Sequence, residues 1–200
     1  MTPEIVYRIL MIVAFVAMFG IRIYYQSKVL GEKREVKIQE NKLSLAAGSI
    51  AALSTLTFGA EYIFFPGTFK FTYLLVYPDW LRWLGVVSLA AGIILLGLAH
   101  YHLGKSFSSL VVSKQDHQLV SSGPYRWIRH PIYTAYLINY VAGGLLASNL
   151  VLTFVPAIFF GLMIIDRIPR EEEIMRDEFG QDYIDLEVRT GRLLPKFNKG

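Results

Sequence analysis

Two short polar segments, 119–133 and 166–172, hold the residues of this sequence that are best suited to chemistry. The first combines two arginines, a histidine and three aromatic residues just before an apolar run. The second places arginine and glutamate side chains directly after another apolar run. Arginine can bind a carboxylate or phosphate through two parallel hydrogen bonds, and carboxylates and aromatic faces attract cations. The two segments therefore indicate a site for a charged ligand.

Several other chemistries are excluded or disfavoured by what the sequence lacks. It has no cysteine, so disulfides, thiolate metal sites and cysteine nucleophiles are excluded. It has no glycine-rich dinucleotide motif, no P-loop and no His-Glu-x-x-His pair, and no G-x-S-x-G turn for a serine nucleophile. The net charge of +4 reflects basic residues in separate polar segments rather than one continuous basic face. We therefore expect neither a metal nor a nucleic-acid partner.

The elements that must position these residues are membrane-spanning helices. Hydrophobic residues make up 54% of the chain and the mean hydropathy is +0.40, which is too apolar for an ordinary soluble surface. A spanning helix needs about 20 mostly apolar residues. The sequence predicts an all-α, polytopic membrane protein, with five transmembrane helices at 5–23, 43–65, 80–99, 132–147 and 150–165.

The last two predicted spans are separated only by Ser148 and Asn149, which predicts a tight helical hairpin. The hairpin should bring the start of the fourth span and the end of the fifth to one membrane face, where both polar segments then lie. Lysine and arginine are concentrated between the first two spans and in the segment before the fourth. By the positive-inside rule, the N-terminus is outside and a helical C-terminal tail lies in the cytoplasm.

Pro169 separates Arg167 from Glu171, and proline disfavours helical backbone at the preceding residue. We therefore expect a helix break near Ile168, with Arg167 facing the membrane and Glu171 facing a tail that begins a new helix. Phe179-Gly180 should end that helix, and a second short helix should follow. The simpler alternative is that the arginines and aromatic residues are interfacial anchors and the glutamates are solvated.

The ordered pattern of these residues resembles the isoprenylcysteine carboxyl methyltransferase family, within the wider group of integral-membrane methyltransferases that includes phospholipid methyltransferases. The likeness covers about residues 100–195. The residues that carry it are His117-x-Leu119-Val120, Gly123-x-Tyr125, Arg129-His130-Pro131-x-Tyr133, Arg167-x-x-x-Glu171-Glu172 and Phe179-Gly180-x-x-Tyr183.

The resemblance implies an S-adenosyl-L-methionine site between the last spans and the tail. It assigns cofactor binding to His117, Gln118, Leu119, Val120, Tyr125, His130, Pro131, Ile132, Tyr133 and Glu171. Arg167 would be the catalytic and substrate-binding residue that holds the carboxylate being methylated. The implied partners are the lipid bilayer and a lipophilic or lipidated acceptor.

The implied organisation is one integral-membrane domain over 1–200, in which 1–99 supplies the first three spans and 100–200 binds cofactor and substrate. The small size favours a prokaryotic cell membrane, with the active site facing the cytoplasm. Two other enzyme classes stay open. One is a phospholipid or other lipid N-methyltransferase, and the other is a sterol-type reductase that uses NADPH, against which the acidic run at 171–173 argues. A membrane scaffold or transporter explains the paired polar segments less well.

Overall fold

The computed structural model describes residues 3–30, 41–104 and 119–196, and within them the regular structure is helical. The helices are α1 (Pro3–Leu30), α2 (Lys42–Phe64), α3 (Asp79–Leu103), α4 (Pro131–Ala147), α5 (Leu150–Phe179) and α6 (Gln181–Arg189). Short 3-10 turns occupy Lys70–Tyr73 and Gly123–Arg126. Among the described residues, the sole β-type pairing is an isolated parallel bridge between Ile128 and Gly191.

Four of these helices, α1, α2, α3 and α5, are long and apolar enough to cross a membrane. The all-helical membrane fold predicted from the sequence is therefore confirmed. α1, α3 and α5 extend beyond their predicted spans, because polar residues at the ends continue the helix, whereas α2 matches its predicted span to within one residue at each end. The remaining predicted span corresponds to α4, which has 17 residues and is shorter than a typical spanning helix.

Small residues let α4 pack closely between its neighbours. A Cβ atom added at Gly85 of α3 would lie 2.7 Å from the backbone nitrogen of Leu146. One added at Gly144 of α4 would lie 2.2 Å from the backbone nitrogen of Thr153 in α5. Such contacts need residues without a side chain, as in other membrane helix pairs. They fix α4 in the bundle and so fix the polar segment that precedes it.

The predicted hairpin between α4 and α5 is confirmed. Ser148 adopts a left-handed conformation with φ 52°. The Asn149 side-chain oxygen accepts a hydrogen bond from the Leu152 backbone N–H at 2.9 Å and caps α5. Its amide group donates to Thr72 Oγ1 at 3.0 Å. The turn makes α4 and α5 antiparallel, so the beginning of α4 and the end of α5 lie at the same end of the bundle.

The predicted helix break near Pro169 is wrong. α5 runs without interruption from Leu150 to Phe179, with Pro169 in its interior. A proline costs the helix one backbone hydrogen bond, but membrane helices tolerate this when neighbouring groups compensate. Here Ile168 is 4% exposed and Glu172 is fully buried, so tertiary contacts hold the helix on both sides of the proline. Arg167 and Glu171 consequently lie one turn apart on one helix.

The C-terminal part folds back onto the start of α4. Gly180 ends α5 with φ 54°, and its N–H donates to the Arg176 carbonyl at 2.8 Å. After α6, the backbone N–H groups of Arg129 and His130 donate to the carbonyls of Gly191 and Arg192 at 2.9 and 3.0 Å. The segment before α4 is thus held against the end of the described chain.

Candidate active site

A cavity of about 660 Å³ lies at the end of the bundle where α4 begins and the polar part of α5 ends. This volume is typical of a small-molecule site. Its wall combines ionisable and aromatic side chains from α4, the segment before it, α5 and α6 with mainly apolar side chains from α1 and α2. An amphiphilic ligand, with a polar head and an apolar tail, matches such a wall.

The residues assigned to the site from the sequence meet at this cavity. The wall includes Leu119, Val120, Tyr125, His130, Pro131, Ile132, Tyr133, Arg167 and Glu171. His117 and Gln118 lie outside the described residues. The hairpin explains this convergence, because it brings together two segments that are about 40 residues apart in the sequence.

Glu171 links α4 and α5 in the cavity wall. The Tyr133 hydroxyl donates a hydrogen bond to Glu171 Oε1 at 2.6 Å, and Arg167 Nε donates to the same oxygen at 2.7 Å. The Glu171 side chain is 6% exposed, whereas the Arg167 side chain is 29% exposed. The i,i+4 pair that the sequence made doubtful is therefore present. It places a carboxylate and a guanidinium side by side on the cavity wall.

His130 lies between the carboxylates of Glu171 and Glu172. Its Nδ1 is 3.7 Å from Glu171 Oε2, and its Nε2 is 3.4 Å from Glu172 Oε1. Nε2 is buried, yet the alignment does not form a hydrogen bond within the described residues. The imidazole stacks on the Tyr133 ring with centroids 5.7 Å apart and planes 15° apart. We name Glu171, Arg167, His130 and Tyr133 the cavity cluster.

Glu172 is a second, fully buried carboxylate that holds the surroundings of the cavity cluster together. Its Oε1 accepts from Arg129 Nε at 2.9 Å, and its Oε2 accepts from Arg192 Nε at 2.9 Å. Arg129 also donates to the Thr190 carbonyl at 2.6 Å. One carboxylate of α5 thus connects the segment before α4 with the segment after α6. Glu172 is absent from the cavity wall itself, so its contacts are structural.

The helix α6 closes one side of the cavity. Tyr183 and Leu186 line the wall, and both are buried. Arg176 donates two hydrogen bonds to Glu187, at 2.8 and 2.9 Å, and so lowers the pKa of that carboxyl group. Burial raises the pKa of the Tyr125 and Tyr183 hydroxyls. Both tyrosines therefore stay neutral near pH 7.

Sequence reasoning did not assign a role to three parts of this region. The sequence pattern includes Arg129 and Glu172 but does not predict the ion pair between them. It did not foresee that Arg192 reaches Glu172, because that contact requires the chain end to fold back. It also gave α1 and α2 no part in the site, although Arg22 of α1 lies in the cavity wall. A lone arginine within an apolar run was the available signal.

The fold and cavity define an integral membrane protein with a candidate ligand cavity inside its helical bundle. Within residues 3–30, 41–104 and 119–196, no group of three or more histidine, cysteine, aspartate or glutamate side chains is arranged to hold a metal ion.

Comparison with known proteins identifies the family. The profile of the isoprenylcysteine carboxyl methyltransferase (ICMT) family matches residues 83–177. Protein-S-isoprenylcysteine O-methyltransferase B of Arabidopsis thaliana is 30% identical over 148 residues, which are 73% of this chain and 72% of the plant protein. The chain belongs to the isoprenylcysteine carboxyl methyltransferase family and is thus a membrane methyltransferase.

This chain corresponds to only part of the length of some longer relatives. Protein-S-isoprenylcysteine O-methyltransferase of Rattus norvegicus is 31% identical over 155 residues, covering 76% of this chain but 52% of the rat protein. The solved structure of the eukaryotic intramembrane Ras methyltransferase ICMT, without a monobody, matches with a TM-score of 0.56 at 20% identity. That match covers 93% of this chain and 67% of the solved chain, and it supports a shared fold.

Proposed function

We propose that this protein uses S-adenosylmethionine to O-methylate the carboxylate of a lipidated, isoprenylcysteine-like acceptor. The observation that carries the proposal is the Arg167–Glu171 pair on the wall of an otherwise largely apolar cavity. The names of the related plant and rat enzymes supply the acceptor class. Membership of the family supplies the reaction class.

The cavity cluster fits the proposed cofactor. S-adenosylmethionine supplies an electrophilic methyl group on a cationic sulfonium, and its transfer yields the methyl ester and S-adenosylhomocysteine. The Glu171 carboxylate and the stacked rings of His130 and Tyr133 can attract a cation, and the buried His130 Nε2 lacks an aligned hydrogen-bond partner among the described residues. The proposed cofactor-binding residues are His117, Gln118, Leu119, Val120, Tyr125, His130, Pro131, Ile132, Tyr133 and Glu171.

Arg167 is the residue we assign to the acceptor. Its hydrogen bond to Glu171 fixes the guanidinium at the cavity wall, and a guanidinium can orient a carboxylate through parallel hydrogen bonds. A carboxylate is already ionised near pH 7, so its methylation needs no strong general base. Catalysis then consists of aligning a carboxylate oxygen with the methyl group and keeping water away from that oxygen.

Thermal unfolding in detergent with S-adenosylhomocysteine, with NADPH and with neither tests the cofactor. A ligand at about 100 times its Kd stabilises a two-state protein by about 2.7 kcal/mol. We expect S-adenosylhomocysteine to raise the unfolding midpoint of the wild type, and Glu171→Gln to remove that increase. Glu173→Gln is the matched control, because Glu173 is exposed on the same helix. Stabilisation by NADPH alone would contradict the proposal.

A screen of methyl acceptors tests the substrate class. We expect transfer to an S-prenylated cysteine with a free carboxylate, and none when the same compound carries an amide in place of the acid. Methylation of a phospholipid amine, without methylation of the acid, would instead identify a lipid N-methyltransferase.

We also propose the membrane arrangement that this reaction requires. α4 would be a fifth, shorter span, since 17 residues reach about 26 Å in a helix, close to the ~30 Å hydrocarbon thickness. By the positive-inside rule, the basic residues favour an N-terminus outside and a helical tail in the cytoplasm, and the proposed location is a prokaryotic cell membrane. The chain would act as one domain over 1–200, with cofactor and acceptor bound mainly by 100–200.

Single-cysteine variants can test this topology, because the native sequence contains no cysteine. Val76 precedes α3 and is 87% exposed, and Asp182 is exposed on α6. In intact cells, a membrane-impermeant thiol reagent should label Val76→Cys. Asp182→Cys should react only after the cells are permeabilised, and the reverse pattern would invert the proposed topology.

A further inference from the structure

One face of α1 forms a wall of the cavity and ends in a cation. The residues on this face are Phe15, Met18, Phe19 and Arg22. Their spacing of i, i+3, i+4 and i+7 puts them on one side of a helix. The seven residue steps from Phe15 to Arg22 correspond to about 10 Å along the axis. The wall is therefore apolar for most of its length and positively charged at the end nearest α1's C-terminus.

The opposite wall holds the Arg22 side chain in place. Arg22 donates from a terminal guanidinium nitrogen to the Tyr136 hydroxyl of α4 at 3.2 Å. Arginines in membrane helices often extend along the helix towards the lipid headgroups. A hydrogen bond to Tyr136 of α4 instead holds this exposed guanidinium against another residue of the cavity wall. Arg22 thus contributes to the cavity rather than only to the outer surface of α1.

Arg22 differs from Arg167 in its partners. Arg167 donates to the Glu171 carboxylate at 2.7 Å, whereas Tyr136 offers Arg22 a hydroxyl group. Among the described residues, no carboxylate lies within 4.0 Å of the Arg22 guanidinium. An intramembrane arginine normally has an anionic or strongly polar partner. The charge of Arg22 is thus available for an anion that enters the cavity.

The surfaces next to Arg22 suit the tail of an amphiphile. Phe160 of α5 contacts two tyrosine rings of α4, with centroid separations of 5.6 Å to Tyr136 and 5.2 Å to Tyr140. All three side chains line the cavity opposite the apolar residues of α1. A hydrophobic chain along these side chains could bring an attached anionic head to Arg22 and Arg167, two of the three arginines in the cavity wall.

We propose that Arg22 binds the ionised carboxylate of the acceptor together with Arg167, and so selects acidic amphiphiles. The inference rests on the proposed function and extends its acceptor site from α5 to α1. Two arginines on different helices would hold the carboxylate while the apolar tail lies against α1 and α4. Methylation removes the negative charge, so the ester product would bind more weakly and leave.

The test compares binding of the acid and its methyl ester to wild type, Arg22→Gln, Arg22→Lys and the control Lys28→Gln. Lys28 is on the same helix but contacts the Tyr24 ring at 4.3 Å and is absent from the cavity wall. The probes are an S-prenylated cysteine with a blocked amine and its methyl ester, in vesicles of zwitterionic phospholipid. S-adenosylhomocysteine binding, measured by thermal unfolding, reports on the cofactor site separately.

Arg22→Gln should weaken binding of the acid by about 10- to 100-fold, the loss expected for one charge-assisted hydrogen bond. Binding of the ester and of S-adenosylhomocysteine should change little. Arg22→Lys should give an intermediate loss, because lysine keeps the charge but not the planar fork, and Lys28→Gln should match the wild type. A merely structural role for Arg22 would weaken acid and ester alike, and this equal loss would overturn the proposal.

Two further measurements are needed. The first shows whether Arg22 binds the acceptor or a phospholipid, and the second separates failure of the anion site from failure of the proposed methyl transfer. If an anionic phospholipid in the vesicles abolishes the effect of Arg22→Gln, the residue binds the anionic lipid headgroup in preference to the acceptor and the inference is wrong. If the wild type binds the acid through Arg22 but transfers no methyl group to it, the proposed function fails while the anion site stands. If the wild type methylates the acid and Arg22→Gln leaves its binding unchanged, the proposed function stands and the anion site fails.

Discussion

Both ends of the helical bundle contain an arginine–glutamate pair, but the two pairs have different surroundings. At the end opposite the cavity, Arg82 donates to Glu4 at 2.8 Å, to the Tyr62 hydroxyl at 3.1 Å and to the Leu146 carbonyl at 2.9 Å. All three guanidinium nitrogens are used. We call Glu4, Tyr62 and Arg82 the closed cluster, and none of them lines the cavity.

The cavity cluster is arranged differently. Arg167 and Glu171 form an equally short pair, yet both face a space of about 660 Å³, and the buried Nε2 of His130 lacks an aligned partner among the described residues. A buried polar group that is incompletely satisfied is costly unless something else binds there. The difference supports the proposal that the closed cluster joins helices, whereas the cavity cluster binds a ligand. Burial of an ion pair alone would not have separated these two roles.

Glu172 should have the largest effect on stability, because it is fully buried beside Arg129 and Arg192. Glu172→Gln leaves those cations without their shared carboxylate, and breaking a buried pair in this way costs about 3–5 kcal/mol. Thermal unfolding in detergent without ligand should show a large decrease in midpoint, whereas the exposed neighbour variant Glu173→Gln should unfold like the wild type.

The contrast between neighbouring glutamates sharpens this prediction. Glu171→Gln should mainly reduce the increase in unfolding midpoint that S-adenosylhomocysteine causes, since Glu171 lines the cavity. Glu172→Gln should mainly lower the unfolding midpoint that is measured without ligand. An unchanged midpoint for Glu172→Gln would mean that the buried network around it does not hold the two chain segments together.

The sequence was sufficient to predict the features that depend on local patterns. Apolar runs predicted the membrane helices, the Ser148-Asn149 dipeptide predicted the hairpin, and Gly180 predicted the end of the helix that contains Glu171, although that helix was expected to begin only at Pro169. Given the hairpin, two polar segments far apart in sequence had to share one end of the bundle. That single step, with the family resemblance, was enough to collect the candidate residues around one site.

The features that could not be predicted depend on tertiary contacts. Pro169 lowers the local preference for helix, but packing around Ile168 and Glu172 overrides that preference. Arg192 pairs with Glu172 only because the end of the chain returns to the start of α4. Arg22 belongs to the cavity only because α1 packs beside α4, and no local pattern specifies which helices are neighbours.

The variant Arg82→Met tests how much the closed cluster contributes to stability. Arg82→Met removes hydrogen bonds to Glu4, Tyr62 and Leu146, but the Glu4 side chain is 39% exposed and can be rehydrated. We therefore expect a smaller loss than for Glu172→Gln, about 1–3 kcal/mol, measured as a lower unfolding midpoint in detergent. Lys70→Met, at an exposed lysine near the same end of the bundle, is the control and should unfold like the wild type.

The decisive observation for Arg82→Met is its response to S-adenosylhomocysteine. If the closed cluster only joins helices, the increase in midpoint with ligand should equal that of the wild type, although both midpoints start lower. Loss of the ligand response in a folded Arg82→Met protein would show that the two ends of the bundle are coupled. The cavity cluster would then depend on the packing of α1, α3 and α4 at the far end, and the division between a structural and a ligand-binding ion pair would no longer hold.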